Sequence, residues 1–142
     1  MEAKERGWVH QVGMSTHTVT LTREAAHHPE LEVLLVTLNK TGKVMKRSGT
    51  PEEMQQAMRV LYEQGRGIYI MKSLARGRVF SEGEAGSSEL TQSMVDEALT
   101  YVFQCPWAHA VTIGMRSVAE VEKDVAIEQR VDAGRGGWDV RL

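Results

Sequence analysis

Residues 111–125 read VTIGMRSVAEVEKDV, a short apolar run that passes through Gly114 into a helical pattern. Ser117 stands three residues before Glu120, which is the capping-box spacing at a helix N-terminus. Residues 12–17, VGMSTH, repeat the phrase near the start of the chain: an apolar strand end, a Gly-Met pair and a hydroxyl. A strand that runs through a glycine into a helix is the βα unit, so the sequence predicts that this unit recurs along the chain.

Four short apolar runs, each followed by a segment with helical periodicity, organise the chain. We predict strands at residues 8–14, 32–38, 67–71 and 110–113. Several of these runs are continuous in Val, Ile and Leu, which is typical of strands buried on both faces of a parallel sheet. The predicted fold class is therefore α/β, with a parallel βα repeat.

Capping and stop signals mark the helices between these strands. Residues 50–53, Thr-Pro-Glu-Glu, form a capping box with proline at the first helical position, and the helix is predicted to stop at Gly65. A second helix is predicted from Ser117 to a stop at Gly134, with Val121 and Val125 on one face. Further helices are predicted at residues 88–103 and, from a weaker signal, at residues 18–28. The apolar stripe of the helix after residue 50 consists of Met54, Ala57, Met58 and Leu61.

Length and charge narrow the class of protein. The chain has 142 residues, of which 42% are hydrophobic, and this suits one domain at residues 1–130 followed by a flexible Gly-rich tail at 131–142. Its 17 Lys and Arg nearly balance its 19 Asp and Glu, so no strong field favours nucleic acid or an anionic membrane. The lone Cys105 and the absence of a long apolar run predict a cytoplasmic chain that does not span a membrane.

Polar residues that follow the predicted strands are the candidates for chemistry. Ser117 at a helix start, with Arg116 beside it, is an anion-site candidate, and simple helix capping is the structural alternative. Lys72 is interpreted as a buried base, a phosphate contact or a surface charge, and spacing alone does not choose among these. Among the histidines, His17 is kept as a candidate site residue, because it stands at a strand end on the predicted site face. The histidines show no metal-ligand spacing, so no metal is predicted.

Residues 39–43, Asn-Lys-Thr-Gly-Lys, have a superficial likeness to a phosphate-binding loop. Thr37 and Val44 stand where that motif requires glycine and Ser or Thr, so the motif is rejected.

Taken in order, the segments resemble the second half of an aldo/keto reductase, strands five to eight of that NAD(P)H-dependent (β/α)8-barrel family. The resemblance runs from Ala3 to Ile127 and implies half of a TIM barrel that dimerisation would complete. A homodimer is expected because half a barrel leaves two sheet edges and one face uncovered. The matching stretches are RGWVHQVGMSTH, HPELEVLLVTLN, GRGIYIMKSLARGRV and AVTIGMRSVAEVEKDVA.

The resemblance implies cofactor-binding positions for NADP or NAD in three segments. These are Ser15 and Thr16 near the nicotinamide amide, Lys72 and Leu74 near the pyrophosphate, and Gly114, Arg116, Ser117 and Asp124 around the adenosine phosphate.

The chain also departs from the family pattern. The catalytic tyrosine and its aspartate, lysine and histidine partners come from the first four family strands, so no catalytic residue is assigned. Glu120 stands where an arginine commonly meets the 2′-phosphate, and cofactor binding is therefore expected to be weak or absent. Further departures are Leu35 for a glutamine, Leu38 for a tyrosine, Met71 for an aromatic residue and Lys123-Asp124 for a Glu-Asn pair.

Three functions remain open at this point. The first is an aldo/keto reductase-like half barrel that resembles the NAD(P)H-binding half of an oxidoreductase and does not catalyse alone. The second is a non-enzymatic interaction module, or one subunit of a split aldo/keto reductase. The third is a truncated product without a selected function.

Overall fold

The computed structural model of the chain describes residues 2–45, 48–80 and 90–135. Its centre is a four-stranded sheet in the order β1-β2-β3-β4, with every neighbouring pair parallel. The α/β class and the parallel βα repeat are thus confirmed. The strands are β1 (Gly13–Thr16), β2 (Val33–Thr37), β3 (Gly67–Met71) and β4 (Ala110–Val111).

Helices alternate with these strands along the chain. They are α1 (Glu2–Glu5), α2 (Val19–Glu24), α3 (Pro51–Glu63), α4 (Gln92–Phe103) and α5 (Val118–Arg135), and two short 3₁₀ helices lie at Ala25–His27 and Ala75–Gly77. Among the described helices, none combines the length and the apolar composition needed to cross a lipid bilayer.

The two faces of the sheet have different environments. Leu34, Val36, Ile68 and Ile70 are fully buried against the helices. The residues between them in the strands point to the opposite face, because successive side chains of a strand alternate. On that face Ser15, Leu35, Tyr69 and Ala110 lie in one register row across the four strands, and Ser15, Tyr69 and Ala110 are exposed. We call this the open face.

Helix α3 forms where its local signals predict it. Thr50 Oγ1 accepts from the Glu53 N–H at 3.3 Å and Glu53 Oε2 accepts from the Thr50 N–H at 2.9 Å, so the capping box is confirmed. Gly65 follows with φ 76°, a conformation that glycine adopts without a steric penalty. The predicted apolar stripe is buried in full: Met54, Ala57, Met58 and Leu61.

Several predicted strand boundaries differ from the observed ones, most at the two outer strands, whereas β2 is one residue shorter at each end than predicted. Strand β1 runs from Gly13 to Thr16 rather than over residues 8–14, and of the residues before it Val12 contributes its carbonyl oxygen, which accepts from the N–H groups of Glu32 and Val33. Trp8 instead lies exposed under the Arg6 guanidinium, 4.9 Å from its ring centroid, and its backbone N–H closes α1 by donating to Ala3 O. Strand β4 ends at Val111 rather than at residue 113.

Helix α5 continues through Gly134 to Arg135, so the predicted stop at Gly134 is wrong. This glycine does not adopt the positive φ that ends α3 at Gly65. Residues 131–135, predicted as the start of a flexible tail, are helical, and residues 136–142 of that prediction lie outside the described part. The predicted start of α4 at residue 88 also lies outside it, and the helix begins at Gln92 with Thr91 as its N-cap.

Candidate functional site

A cleft of about 430 Å³ lies between the segments that follow β3 and β4. The carboxyl ends of parallel strands are where α/β proteins bind ligands, because the loops and helix starts converge there. The cleft unites three of the predicted positions, Lys72, Leu74 and Gly114. Its other lining residues are Met71, Ser73, Arg76, Gly77, Thr112 and Ile113.

Ser73 is the most buried polar residue that lines this cleft. The residue is 2% exposed, and its hydroxyl makes no hydrogen bond to any residue that the structure describes. Because Ser73 lines the cleft, this hydroxyl is open to a molecule bound there. An oxygen of a bound ligand would provide the missing partner.

Two cations line the same cleft. The side chains of Lys72 and Arg76 form no ion pair or hydrogen bond within the described part of the chain, and no carboxylate lines the cleft there. In the neighbouring loop, Lys43 Nζ donates to Arg78 O at 2.9 Å and so joins the segments after β2 and β3. The charge and hydrogen-bonding capacity of the cleft therefore match an anion.

The backbone of this segment is strained. Lys72, Ala75 and Arg76 have φ values of 62°, 47° and 60°, in the left-handed region that L-residues with a Cβ rarely adopt. Each such residue costs about 1–2 kcal/mol. Ala75 is held there by burial against Val79 and Ala98 and by a 2.8 Å hydrogen bond from its N–H to Lys72 O. Strain of this kind concentrates at binding and catalytic sites.

The N-terminus of α5 is occupied by a carboxylate of its own helix. Ser117 Oγ accepts from the Glu120 N–H at 3.2 Å, as the capping interpretation predicts. Glu120 Oε2 accepts from the Arg116 N–H at 2.6 Å rather than from the Ser117 N–H, and Glu120 Oε1 lies 3.4 Å from the Arg116 guanidinium. The N–H groups of Arg116 and Glu120, two of the donors that an external anion would use, are thus paired internally.

Asp124 lies one turn further along α5, on its inner side. It is only 6% exposed. Burial raises the pKa of its carboxyl, and the nearby carboxylates of Glu120 and Asp96 raise it further. Asp124, Arg116 and Ser117 do not line the cleft, whereas Gly114 does.

The two predicted positions at the end of β1 are separated from the cleft by β2. Thr16 is buried on the helix side, where its Oγ1 accepts from the Thr18 N–H at 3.1 Å. Ser15 is exposed on the open face. Beyond them, His17 Nδ1 lies 2.7 Å from Oγ1 of Thr37, the last residue of β2. The structure therefore does not bring Ser15 and Thr16 together with Lys72 and Leu74.

Residues 39–43, the segment with a superficial likeness to a phosphate-binding loop, are held together by hydrogen bonds within the segment. Asn39 is fully buried, and its side-chain amide donates to Lys43 O at 2.8 Å and accepts from the Lys43 N–H at 3.1 Å.

Sequence reasoning missed Arg76 and Thr112 as lining residues and did not single out Ser73. The available signal was their position: Ser73 and Arg76 follow Lys72 after a strand, and Thr112 directly follows β4. That the Ser73 hydroxyl has no hydrogen-bond partner depends on tertiary packing, so the sequence does not show it.

Within the described residues, no group of three or more His, Cys, Asp or Glu side chains is placed to hold a metal ion. Comparisons with protein-family models, with curated proteins and with solved structures give no match to the chain.

Proposed function

We propose that the chain is the cofactor-binding half of an aldo/keto reductase-like barrel, which holds the phosphates of a nicotinamide dinucleotide and does not catalyse on its own. The observation that carries this proposal is the hydroxyl of Ser73, which has no hydrogen-bond partner among the described residues and lines a cleft that also contains Lys72 and Arg76. A pyrophosphate supplies the acceptor oxygens and the negative charge that these three side chains can bind.

The half-barrel part of the proposal is supported by the order of the strands. In the sequence β1-β2-β3-β4 each crossover moves the chain one strand in the same direction. Right-handed crossovers then place every helix on one side of the sheet, as in a (β/α)8 barrel, and leave the other side for the barrel interior. The open face with Ser15, Leu35 and Tyr69 would be this interior.

The proposed cofactor is NAD(H) in preference to NADP(H). Glu120 is paired with Arg116, so this arginine adds no net positive charge beside the N-terminus of α5. A 2′-phosphate in this region would meet that carboxylate, whereas a ribose hydroxyl could donate to it.

Catalysis, in this proposal, needs residues that this half does not supply. Hydride transfer from the nicotinamide to a carbonyl requires a proton donor beside the carbonyl oxygen.

Isothermal titration with NADH, NADPH and inorganic pyrophosphate tests the proposal. We expect NADH and pyrophosphate to bind, and Ser73→Ala to weaken both about tenfold, because one hydrogen bond to a charged group is lost. Lys72→Gln is expected to weaken both as well, whereas Arg59→Gln, at an exposed arginine on α3 that does not line the cleft, should change neither.

The absence of heat with any of the three ligands at millimolar concentration would overturn the proposal. Equal binding by the wild type and the Ser73→Ala and Lys72→Gln variants would remove the cleft as the site. Thermal melting of each variant shows whether the fold is retained.

A further inference from the structure

Helix α5 carries an apolar stripe that faces away from the protein. Val118, Val121 and Val125 share one side of the helix, and Val121 and Val125 are 41% and 45% exposed. The inner side of α5 contains Ile127 and the buried carboxyl of Asp124. An apolar outer stripe above a polar buried residue inverts the usual pattern of a surface helix.

The stripe points away from the neighbouring helix. Arg130 lies on the α4 side of α5, where its guanidinium is 3.6 Å from the Asp96 carboxylate. Val121 is nine residues before Arg130, or about two and a half helical turns, so the two side chains lie on opposite sides of α5. The valine stripe thus occupies the flank where a further helix would follow α4 and α5.

The helix at the other edge of the sheet has a matching feature. Helix α2 faces α3 through Arg23, whose guanidinium lies 3.2 Å from Glu53 Oε1. Leu21 is two residues away, about 200° around the helix, and is 50% exposed. Helices α2 and α5, at the two edges of the sheet, therefore each carry apolar residues on the flank where the described residues place no neighbouring helix.

We infer that these two flanks bind each other between two copies of the chain, with the valine stripe of α5 against Leu21 of α2. Neighbouring helices in the chain already pack in this way, α2 on α3 and α4 on α5. Two copies related by a twofold axis would form this contact twice, with α5 of each copy against α2 of the other. This inference rests on the half barrel of the proposed function and adds the partner that completes it.

The strands favour the same partner. Strands β1 and β4 are the two edges of the described sheet, and they run in the same direction. Pairing β1 of one copy with β4 of the other keeps all strands parallel and gathers both clefts at one end. Two sets of four strands give eight, the number at which a barrel interior is just filled by side chains.

Sedimentation velocity and light scattering over a range of concentrations test this interface. We expect a reversible dimer, and the double variant Val121→Glu, Val125→Glu to weaken it by at least tenfold, because two charges would lose water at the contact. Val60→Glu is the matched control, since Val60 is 46% exposed on α3, away from both edges, and should leave the dimer intact. Circular dichroism and thermal melting establish that each variant is folded.

A complementation experiment identifies which surfaces meet. Val125→Lys and Leu21→Glu should each be monomeric when alone, and their mixture should form a heterodimer in which one contact pairs lysine with glutamate and the other is native. A wild type that is monomeric up to the millimolar range would overturn the inference. Dimers that persist in the Val121→Glu, Val125→Glu variant, or a mixture without recovery, would also overturn it.

The dimer and the cofactor site fail separately in these measurements. Cofactor titration of the monomeric variants reports on the cleft, which contains none of the substituted residues. A dimer that binds no dinucleotide would contradict the proposed function alone, and a monomer that binds NADH would contradict this inference alone.

Discussion

The carboxylate of Glu120 holds both anion-binding groups of Arg116, with its Oε2 accepting from the backbone N–H at 2.6 Å and its Oε1 lying 3.4 Å from the guanidinium. A helix N-terminus with an arginine beside it attracts anions, because free N–H groups and the helix dipole carry positive partial charge. Glu120 supplies that anion from within the chain. The cleft at Ser73 therefore remains as the candidate anion site, where the side chains of Lys72 and Arg76 have no partner among the described residues.

Replacing this carboxylate should change the preference between the two dinucleotides. We expect Glu120→Gln to improve the affinity for NADPH relative to NADH by about tenfold, since the amide keeps an acceptor for the Arg116 N–H and loses the charge. Isothermal titration at low salt gives both dissociation constants. Glu122→Gln, at an exposed neighbour on α5, should leave their ratio unchanged. An unchanged ratio in Glu120→Gln would show that no 2′-phosphate comes near this end of α5.

The raised pKa of Asp124 gives the folding stability a defined pH dependence. Burial is the main cause of the shift, and it favours the protonated carboxyl in the folded state. The folded chain therefore holds this proton at a pH where the unfolded chain has released it. Stability from this group is fully present below the unfolded pKa and is lost as the pH rises through the folded pKa.

We therefore expect Asp124→Asn to be more stable than the wild type at neutral pH, with a difference that shrinks toward pH 3. Urea denaturation at a series of pH values measures this difference. Glu122→Gln serves as the control, because that carboxylate is exposed on the same helix. A gain of equal size at both ends of the pH range would mean that packing of the amide, rather than the charge, is responsible.

The capping box of α3 should contribute measurably to stability. Thr50→Ala removes the acceptor of the Glu53 N–H and is expected to lower the free energy of unfolding by about 1 kcal/mol. Thr50→Ser keeps the hydroxyl and should restore most of this loss. Chemical denaturation of the three proteins makes the comparison, and equal destabilisation by alanine and serine would assign the effect to the threonine methyl group.

The fold was predicted most accurately where the sequence signal acts within a few residues. The bounds of β3 and the buried stripe of α3 were predicted correctly, because a continuous apolar run and a capping box act within a few residues. The end of α5 was predicted incorrectly. Both Gly65 and Gly134 were expected to stop a helix, and of these two only Gly65 adopts a positive φ. Whether a glycine ends a helix depends on what packs beyond it.

The candidate site was likewise predicted only in part. Lys72 and Gly114 were expected near the cofactor, and the parallel sheet brings both to one cleft. The unpartnered state of Ser73 and the pairing of Arg116 with Glu120 depend on side-chain conformations that no spacing encodes. The outward direction of Val121 and Val125 was also hidden, because a helical stripe shows which residues share a face and not which neighbour that face meets.

We expect Arg76 to have two opposing effects: its backbone conformation lowers the stability of the fold, and its guanidinium strengthens anion binding in the cleft. Its backbone, at φ 60° and ψ 37°, is in the left-handed region, so Arg76→Gly relieves strain and is expected to stabilise the fold by up to about 1 kcal/mol. The same change removes a cation from the cleft and should weaken pyrophosphate binding severalfold. Arg76→Ala is the matched control, because it also loses the cation but keeps a Cβ in the strained conformation. Urea denaturation and pyrophosphate titration should therefore give equal binding losses for the two variants and a stability gain for glycine alone. Equal stabilities would mean that the strain at residue 76 is negligible, whereas binding retained in both variants would remove Arg76 from the anion site.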